Sequence, residues 1–421
     1  MSQESINPDP SCEDDYDPHS MPVDEALRRI KAAIKPLQVS ESVAVRAALG
    51  RVLSVPVTAP FDVPPHRNSA RDGIALRSSD LREALTRLRL VGASFAGHPY
   101  PHTLAAGEAI RIMTGAAMPA GADSVAMQEH VDVDGGYVDV PKAAARTTHI
   151  RHPGEDMRAG ASVMPAGQWL RPADLGVLAS LGIAEVPVYR RLRTAYFSTG
   201  DELRSVGQTL APGDIFDSNR YTVHGMLARL GVEGLDLGIV RDTADEVRRA
   251  FEQACAAADV VISTGGVSVG AADYVTGMLR QMGTVNFWKI AMKPGRPLTF
   301  GHVNGALFFG LPGNPVSVMV TFYQFVQPAL RLAMGIKGGE PPLMRVPLAA
   351  SISKQPGRVE YQRGILTAAN DGSLEVSSTG AQGSHILHSM STANCFIVLP
   401  LESEGAEAGE RVSVQPFEGL I

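Results

Sequence analysis

Two glycine-rich segments in the C-terminal half of the chain have the composition of anion-binding loops. Residues 264–270 (TGGVSVG) follow a hydrophobic run at 259–263, and residues 310–315 (GLPGNP) follow another at 306–309. Glycine lets a ligand approach the backbone closely, and amides at a helix start attract anions. For either segment alone, an ordinary tight turn that binds nothing is about as good an explanation as an anion site. The presence of both segments favours a phosphate site. The residues predicted to bind substrate here are Gly265, Gly266, Ser268, Gly270, Pro312, Gly313, Asn314 and Pro315.

Four carboxylates follow predicted strands of the same region. Asp201 and Glu202 come after a run at 194–198, Asp242 comes after another apolar run, and Asp273 follows the first glycine-rich segment. Ligands of an open α/β sheet bind beyond the carboxyl ends of its strands, so we expect these side chains at one edge. Their oxygens suit a hard divalent cation. A cap or a turn explains Asp201 or Asp242 equally well, which makes Glu202 and Asp273 the better candidates.

A group of three cations within eight residues lies between the two glycine-rich segments in the sequence. Lys289, Lys293 and Arg296 could neutralise an oxyanion held by the neighbouring loops. Solvated surface charge is the alternative interpretation. The pattern therefore predicts an anionic ligand without identifying it.

Several classes of protein are disfavoured by composition and motif content. The net charge of −6 argues against a general nucleic-acid binder. The three cysteines form no CxxC pair, and the histidines lack metal-protease spacing, so neither a disulfide framework nor a zinc site is predicted. No Walker A loop, Gly-x-Ser-x-Gly elbow or complete dinucleotide fingerprint occurs, which weakens NTPase, hydrolase and dehydrogenase interpretations. The acidic start and the lack of a long apolar run predict a protein that is neither secreted nor membrane-spanning.

The elements that must position these residues form a central α/β domain. Strand, glycine-rich loop and helix alternate between residues 191 and 336, which is typical of a mainly parallel sheet. Residues 217–219 (DSN) offer side-chain oxygens for a helix start, and Gly231 suits the C′ position of that helix. Thr243 and Glu246 form a capping-box pattern for the next one. Its buried face is predicted to contain Ala244, Val247, Phe251 and Ala254.

The 421 residues are too many for one hydrophobic core and predict about two to four domains. Short alternating stretches punctuated by glycine indicate small β-rich domains on either side of the α/β region. A helix that begins near Val23 opens the folded part. The predicted divisions are a disordered acidic tail at 1–20, a discontinuous N-terminal linking domain at 21–58 and 148–190, a small β-rich domain at 59–147, the central α/β domain at 191–336 and a C-terminal β domain at 337–421.

Seven short motifs follow one another along the chain. They are Ser69-x-x-Asp72-Gly73-x-Ala75, 112–116 (IMTGA), 198–203 (STGDEL), 217–220 (DSNR), 263–270 (STGGVSVG), 293–295 (KPG) and 311–315 (LPGNP). In this order they resemble the molybdopterin molybdenumtransferase family, which includes the E domain of gephyrin. The resemblance covers nearly the whole chain beyond the acidic tail.

The resemblance implies a fold and an activity. It implies an elongated homodimer of four-domain subunits, in which the central domain of one subunit faces the small β domain of the other across the active cleft. It also implies a cytoplasmic, Mg²⁺-dependent transferase that inserts molybdenum from molybdate into adenylylated molybdopterin and releases AMP. Transient contacts with the adenylyltransferase that supplies this substrate, and with apo-molybdoenzymes, are expected as well.

The same resemblance implies which side chains line the cleft. The implied catalytic residues are Asp72, Thr114, Glu202, Asp242, Asp273, Lys289 and Lys293. Among them, Glu202, Asp242 and Asp273 are expected to position Mg²⁺, while the two lysines attract molybdate. The implied substrate contacts outside the glycine-rich segments are Arg296, Arg363 and Ser384.

Three positions depart from the usual family pattern. Arg71 and Ile74 stand where Met and Tyr are common, and Arg296 stands where Lys is frequent. The first of these could alter substrate contacts. Two alternatives remain open: a molybdopterin adenylyltransferase, which lacks the flanking domains, and a non-catalytic dimeric scaffold, which the retained carboxylates disfavour.

Overall fold

The computed structural model describes residues 19–265, 273–338, 342–369 and 371–417, with the backbone alone at 273–276. The predicted tail at 1–20 therefore lies almost wholly outside the described residues. By internal contacts the chain divides into two units. The larger contains Met1–Glu41, Gly50–Val52 and Val188–Ile421, and the smaller contains Ser42–Leu49 and Leu53–Pro187.

The larger unit is built around a six-stranded sheet whose strands we label in chain order. They are β1 Arg193–Thr199, β2 Glu233–Val240, β3 Val260–Thr264, β4 Gly283–Lys289, β5 Pro297–Val303 and β6 Ala306–Leu311. The spatial order is β2-β1-β3-β6-β5-β4. The first three pairings are parallel and the last two are antiparallel. The prediction of a mainly parallel α/β sheet is confirmed.

Three helices of this unit follow β1, β2 and β3. They are α1 Asn219–Arg229, α2 Ala244–Ala257 and α3 Asp273–Met282. Gly231 adopts a φ of 70°, a left-handed conformation that glycine tolerates, at the predicted position just after α1. The Oγ1 of Thr243 accepts the backbone N–H of Glu246 at 3.4 Å, as the capping-box pattern predicts.

The buried face of α2 differs from its prediction at one position. Val247, Phe251 and Ala254 are buried as expected, but Ala244 is exposed and Ala250 is buried instead. Ala244 lies in the first turn, where the helix has only begun to cross the sheet. Phe251 packs edge-on against Phe197 and Phe308, and these contacts form the core on this face of the sheet.

The helical segment after β6 has three parts: Pro315–Thr321, a π-helical stretch at Phe322–Val326, and Gln327–Ala333. Pro328 explains the interruption, because proline has no N–H and its ring clashes with the carbonyl four residues earlier. The first part is largely buried, with Val316, Val318 and Val320 all inaccessible.

A second six-stranded sheet of the larger unit contains most of the C-terminal segment. Its strands are Met292–Lys293, Val359–Ala368, Cys395–Leu399, Arg411–Pro416, Met344–Pro347 and Leu374–Ser378. The unit also contains the helix Val23–Ala33, at the position predicted for it, the helix His388–Thr392 and the short paired strands Leu203–Arg204 with Ile215–Phe216 and Ile352–Ser353 with Gly405–Ala406.

The smaller unit is β-rich and is built on a seven-stranded sheet. In spatial order its strands are Ala145–Arg146, Ser124–Met127, Gly73–Leu76, Glu108–Ile112, Leu85–Ser94, Tyr137–Pro141 and Asp132–Asp134. Successive residues of the strand Gly73–Leu76 contribute to different cores, because Ile74 and Leu76 pack on one face and Ala75 on the other.

The remaining elements of the smaller unit and its edges are short. They are the paired strands Asn68–Ser69 with Ile150–Arg151 and Val57–Thr58 with Ser162–Met164, the helix Pro172–Ser180, and the 3-10 turns Val45–Ala47, Ser78–Asp80, Gln128–His130, Lys142–Ala144 and Thr147–His149. The strands Ser40–Ala44 and Glu185–Tyr189 each include the point at which the chain passes between the units.

An ion pair fixes the amino end of β3 and gives a stability prediction. Both carboxylate oxygens of Asp259 accept from the guanidinium of Arg190, at 2.7 and 2.8 Å, and one also accepts the backbone N–H of Arg193. Burial alone would raise the pKa of Asp259, but these hydrogen bonds outweigh it and lower the pKa. A lowered carboxyl pKa stabilises the fold above the unfolded value of about 4, and this contribution is lost as pH falls through the folded value.

Asp259→Asn is therefore expected to lower the free energy of unfolding by about 1–3 kcal/mol at pH 7. The difference from the parent chain should shrink at pH 3, because this pH lies below the unfolded carboxyl pKa of about 4 and the contribution is lost as the pH falls further. Denaturant titrations of both proteins at the two pH values measure it. If the loss of unfolding free energy is the same at pH 3 as at pH 7, the ion pair is not its source.

Candidate functional site

The carboxyl ends of three adjacent parallel strands meet at Gly265. The backbone N–H of Gly265 donates to the carbonyl of Leu311, the last residue of β6, at 3.2 Å. Its φ is 76°, and a Cβ at this position would overlap the carbonyl oxygen of Thr199, the last residue of β1. Only glycine fits there without strain. The first glycine-rich loop thus begins at the edge where ligands of open α/β sheets bind.

The rest of that loop was predicted to bind substrate through Gly266, Ser268 and Gly270. These three residues lie outside the described part of the chain. Asp273 is described as the first residue of α3, but its side chain is not. Its predicted role in metal binding stays a prediction.

Buried oxygens without partners concentrate at the same edge. Within the described ranges, no hydrogen-bond partner is found for Thr199 Oγ1, Ser263 Oγ, Asn219 Oδ1 or Ser317 Oγ. Each of the four residues is at least nine-tenths buried. Buried polar groups are normally hydrogen-bonded, so such a concentration needs an explanation. A polar ligand at the strand ends provides one.

The second glycine-rich loop is tied to the C-terminal sheet region. Asn314 Nδ2 donates to Ser384 Oγ at 3.0 Å, and the backbone N–H of Val316 donates to the carbonyl of Ser384 at 3.1 Å. Gly313 contributes its carbonyl to the side chain of Asn219 at 2.6 Å. Two predicted substrate contacts that are far apart in sequence, Asn314 and Ser384, are therefore neighbours.

Arg363 is buried, with only 1% of its surface exposed. Its Nε donates to Ser389 Oγ at 2.9 Å and its Nη2 donates to the carbonyl of Gly383 at 3.0 Å. Burial lowers the pKa of this guanidinium to about 10, although Glu360 acts in the opposite direction. Arg363 thereby holds the segment that contains Ser384, a role that the sequence pattern did not suggest.

Two of the predicted metal ligands are described, and they follow the carboxyl ends of neighbouring strands. Glu202 comes shortly after β1, and both of its carboxylate oxygens lie 2.7 Å from the place where a Cβ on Gly200 would stand. Asp242 follows β2, and its backbone N–H donates to Asp201 Oδ1 at 3.4 Å. The side chain of Asp201 thus connects the segments that follow β1 and β2. Across the ranges that the structure describes, no three acidic, histidine or cysteine side chains form a metal cluster.

The two predicted lysines stand at either side of a sharp change of chain direction. Lys289 ends β4, and its carbonyl accepts the N–H of Met21 at 2.7 Å. Lys293 lies in a strand of the C-terminal sheet, opposite Glu360. The peptide bond from Lys293 to Pro294 is cis. At Gly295, which has a φ of 97°, a Cβ would stand 2.5 Å from Thr321 Oγ1. The third predicted cation, Arg296, closes the turn through its carbonyl, which accepts the N–H of Ile290.

Asp72 and Thr114 belong to the smaller unit, where they are joined directly. The backbone N–H of Thr114 donates to Asp72 Oδ1 at 2.7 Å. Hydrogen bonds from the backbone and side chain of Thr114 lower the pKa of Asp72. Of the departures from the family pattern nearby, Ile74 is buried in the core and Arg71 is exposed. Only Arg71 can change a contact with a ligand.

Sequence reasoning missed several residues of the strand-end edge. Ser198 and Thr264 were treated only as parts of motifs, and residues 217–219 only as a helix start and as part of a motif. Ser218, the residue before α1, makes no side-chain capping bond. Asp217 accepts the backbone N–H of Arg220 at 3.2 Å, but its carboxylate also accepts from Ser198 in β1 and from the side chain of Arg220. The occurrence of residues 217–219 in one of the seven motifs was the one signal that could have pointed to the site.

None of the helices in the described residues combines the length and the apolar character needed to cross a membrane.

Three protein-family models match most of the chain. The model described as the MoeA N-terminal region (domain I and II) matches residues 21–182. The model described as a probable molybdopterin binding domain matches residues 195–332, which include nearly all of the central sheet. The model described as the MoeA C-terminal region (domain IV) matches residues 345–417.

Individual relatives agree with these matches. A Haemophilus influenzae protein named molybdopterin molybdenumtransferase is 44% identical over 384 residues, which cover 91% of this chain and 95% of the relative. A Nostoc protein of the same name is 38% identical, with 90% and 88% covered. The crystal structure of the molybdopterin biosynthesis MoeA protein from Pyrococcus horikoshii OT3 matches with a TM-score of 0.83 at 29% identity, covering 94% of this chain and 100% of that one. The resemblance predicted from the seven motifs is confirmed.

Proposed function

Because this chain belongs to the molybdopterin molybdenumtransferase family, we propose that it inserts molybdenum from molybdate into adenylylated molybdopterin and releases AMP, which gives the molybdenum cofactor. The observation that carries the proposal is the strand-end edge around Gly265, where a left-handed glycine lies against the carbonyl of Thr199 and buried oxygens have no hydrogen-bond partner among the described residues. The names of the full-length relatives support the activity.

The two glycine-rich loops are proposed to hold the phosphates of the substrate. Gly265 begins the first loop and Gly313 and Asn314 lie in the second, next to Ser384. Backbone amides and small polar side chains bind phosphate oxygens without adding bulk. Such contacts would hold the phosphoanhydride bond that is cleaved when AMP leaves. Gly266, Ser268, Gly270, Pro312 and Pro315 remain proposed members of these loops.

The donor chemistry at the edge fits Mg²⁺. Glu202 and Asp242 follow adjacent strand ends, and Mg²⁺ is usually bound by one or two carboxylates together with substrate phosphates rather than by a full protein cage. We propose that these two side chains, with Asp273, would hold the ion. Bound there, Mg²⁺ would neutralise charge on the phosphates. Lys289 and Lys293 are proposed to attract molybdate, and Asp72 and Thr114, together with Arg296 and Arg363, to support the same reaction.

The test is AMP release from adenylylated molybdopterin by the purified chain, in the presence of Mg²⁺ and with or without molybdate. The proposal predicts that AMP appears when molybdate is added and that a metal chelator stops its release. An adenylyltransferase would instead form adenylylated product from molybdopterin and ATP. A scaffold would bind the pterin without releasing AMP under either condition. Either of these last results would overturn the proposal.

Gly313 gives a prediction that separates substrate contact from folding. An added Cβ at this glycine meets no atom within 4 Å among the described residues, and its φ lies outside the left-handed region. Gly313→Ala is therefore expected to leave the melting temperature within about 2 °C, since substitutions without clashes change stability little. If the loop contacts substrate, the methyl group should raise KM at least about fivefold, equivalent to about 1 kcal/mol. An unchanged KM would remove Gly313 from the substrate site.

The oligomeric state and the cellular location are also proposals. We propose a homodimer, located in the cytoplasm, with transient contacts to the adenylyltransferase and to apo-molybdoenzymes. Light scattering coupled to size-exclusion chromatography tests the dimer. We also keep the predicted domain boundaries as a proposal. Those after residues 190 and 336 fall between segments that different family models match, which supports them.

A further inference from the structure

The segment just before and at the start of α1 is linked to the beginning of the first glycine-rich loop and contacts Gly313 in the second. Asp217 reaches the first loop through the strand ends of β1 and β3, and Asn219 reaches the second loop directly. Asp217 and Asn219 are 2% and 9% exposed. A buried segment that is bonded to both loops can set the distance between them.

The link to the first loop is a chain of buried hydrogen bonds. Ser198 Oγ donates to Asp217 Oδ1 at 3.0 Å, and Ser198 Oγ and Thr264 Oγ1 are 2.8 Å apart. An ionised carboxylate only accepts, and a serine hydroxyl has a single proton. The proton of Ser198 is therefore committed to Asp217, so Thr264 must be the donor in the second bond. This fixes the hydroxyl of the residue that precedes Gly265.

The carboxylate at the start of this chain is itself held in place. Arg220 donates to Asp217 Oδ2 through Nε at 3.2 Å and continues to the carboxylate of Asp236 through Nη1, also at 3.2 Å. The side chain of Arg220 is 12% exposed. Charge-assisted hydrogen bonds in a shielded setting are stronger than neutral ones. Asp217 is thus a fixed anchor for Ser198 and Thr264.

The link to the second loop is a single short bond. Asn219 Nδ2 donates to the carbonyl of Gly313 at 2.6 Å. Its Oδ1 is buried and has no hydrogen-bond partner among the described residues. The amide group is thus held by one contact with the loop, and that contact lies next to Asn314, which bonds to Ser384.

We propose that Asp217 and Asn219 are positioning residues that set the separation of Gly265, at the start of the first glycine-rich loop, from Gly313 in the second, and thereby the geometry in which the substrate phosphates are held. The inference rests on the proposed function for the identity of the substrate. The loop separation itself is a property of the protein without ligand. It can be tested whether or not turnover is observed.

The first test is amide hydrogen exchange in the ligand-free protein. The N–H of Gly265 donates to Leu311 and so joins the starts of the two loops. Asp217→Asn replaces one acceptor oxygen, which now serves Ser198 or Arg220, with an amide N–H₂ that can only donate. Ser198→Ala cuts the link to Thr264 while leaving the Arg220 pair intact. In both variants we expect exchange at Gly265 to be roughly tenfold faster or more. Asn219→Ala should have the same effect on the amides around Gly313.

Asp259→Asn is the matched control, because it removes a charge-assisted carboxylate pair from the opposite end of the same strand, β3. In this variant, exchange at Gly265 should rise only as far as its lower free energy of unfolding requires, and the clamp variants should exceed it. If Ser198→Ala and Asp217→Asn leave exchange at Gly265 within twofold of this control, the proposed clamp is wrong. Ser198→Ala keeps the ion pair and serves as the milder variant should Asp217→Asn fold poorly.

The second test is kinetic. Loosened loops should raise KM for adenylylated molybdopterin by about tenfold, with the Mg²⁺ dependence of AMP release unchanged, since the clamp is not a metal ligand. Faster exchange with an unchanged KM would also overturn the proposal. If the parent chain releases no AMP at all, the proposed function fails, whereas hydrogen exchange still decides whether the clamp exists.

Discussion

Gly265→Ala is expected to lower the rate of AMP release at least about 100-fold, because displacement of a reacting group by about 1 Å can have that effect. The residue would have to keep a φ of 76° while its Cβ overlapped the carbonyl of Thr199. The chain must instead shift at the point where β1, β3 and β6 meet. We also expect the free energy of unfolding to fall by about 2 kcal/mol or more, from the left-handed conformation and the clash together.

The control for this substitution is Gly277→Ala in α3. A Cβ on Gly277 meets no atom of the described residues within 4 Å, and its backbone is helical. Alanine at such a site should stabilise the protein by about 0.4–1 kcal/mol. Turnover and denaturant titrations on both variants make the comparison. A Gly265→Ala protein that turns over like the Gly277→Ala protein would mean that this edge of the sheet is not the reacting site.

Glu202→Gln is expected to raise the Mg²⁺ concentration needed for half-maximal AMP release at least about 10- to 100-fold. Loss of a residue that only hydrogen-bonds a metal ligand typically weakens metal binding about 10- to 100-fold. Loss of a ligand itself should weaken it at least as much. The side chain is exposed, so the fold should be unaffected. A titration of AMP release against Mg²⁺ measures the change, and saturating Mg²⁺ should restore part of the rate.

Glu252→Gln provides the matched comparison, since Glu252 is an exposed carboxylate on α2 with no place in the proposed site. Its Mg²⁺ titration should coincide with that of the parent chain. Should the two glutamine variants give the same titration, Glu202 is not a metal ligand.

Local signals in the sequence predict the elements of the central sheet well. The cap at Thr243 and the glycine after α1 act over three or four residues, and the structure has both as predicted. The prediction that Ala244 is buried was wrong because burial there does not depend on local sequence. Which residues of a helical face are covered depends on the angle at which the helix crosses the sheet, and periodicity alone does not fix that angle.

The parts of the site that the sequence could not predict depend on contacts between distant residues. Asn219 looks like a helix start in its local context, but its side chain bonds to Gly313, 94 residues later. Arg363 stands in a β-strand pattern that gives no sign of a buried guanidinium. Both roles follow from how strands and loops assemble, and short-range propensities contain no information about that assembly.

The proposed function is tested most directly by asking whether the purified chain can complete the cofactor. The measurement is the activity regained by an apo-molybdoenzyme after incubation with this protein, adenylylated molybdopterin, Mg²⁺ and molybdate, alongside AMP release. We predict that the activity of the apo-molybdoenzyme returns in proportion to the AMP formed, and that AMP release and restored activity are both lost in Gly265→Ala. Tight binding of the pterin with neither AMP nor restored activity would contradict it.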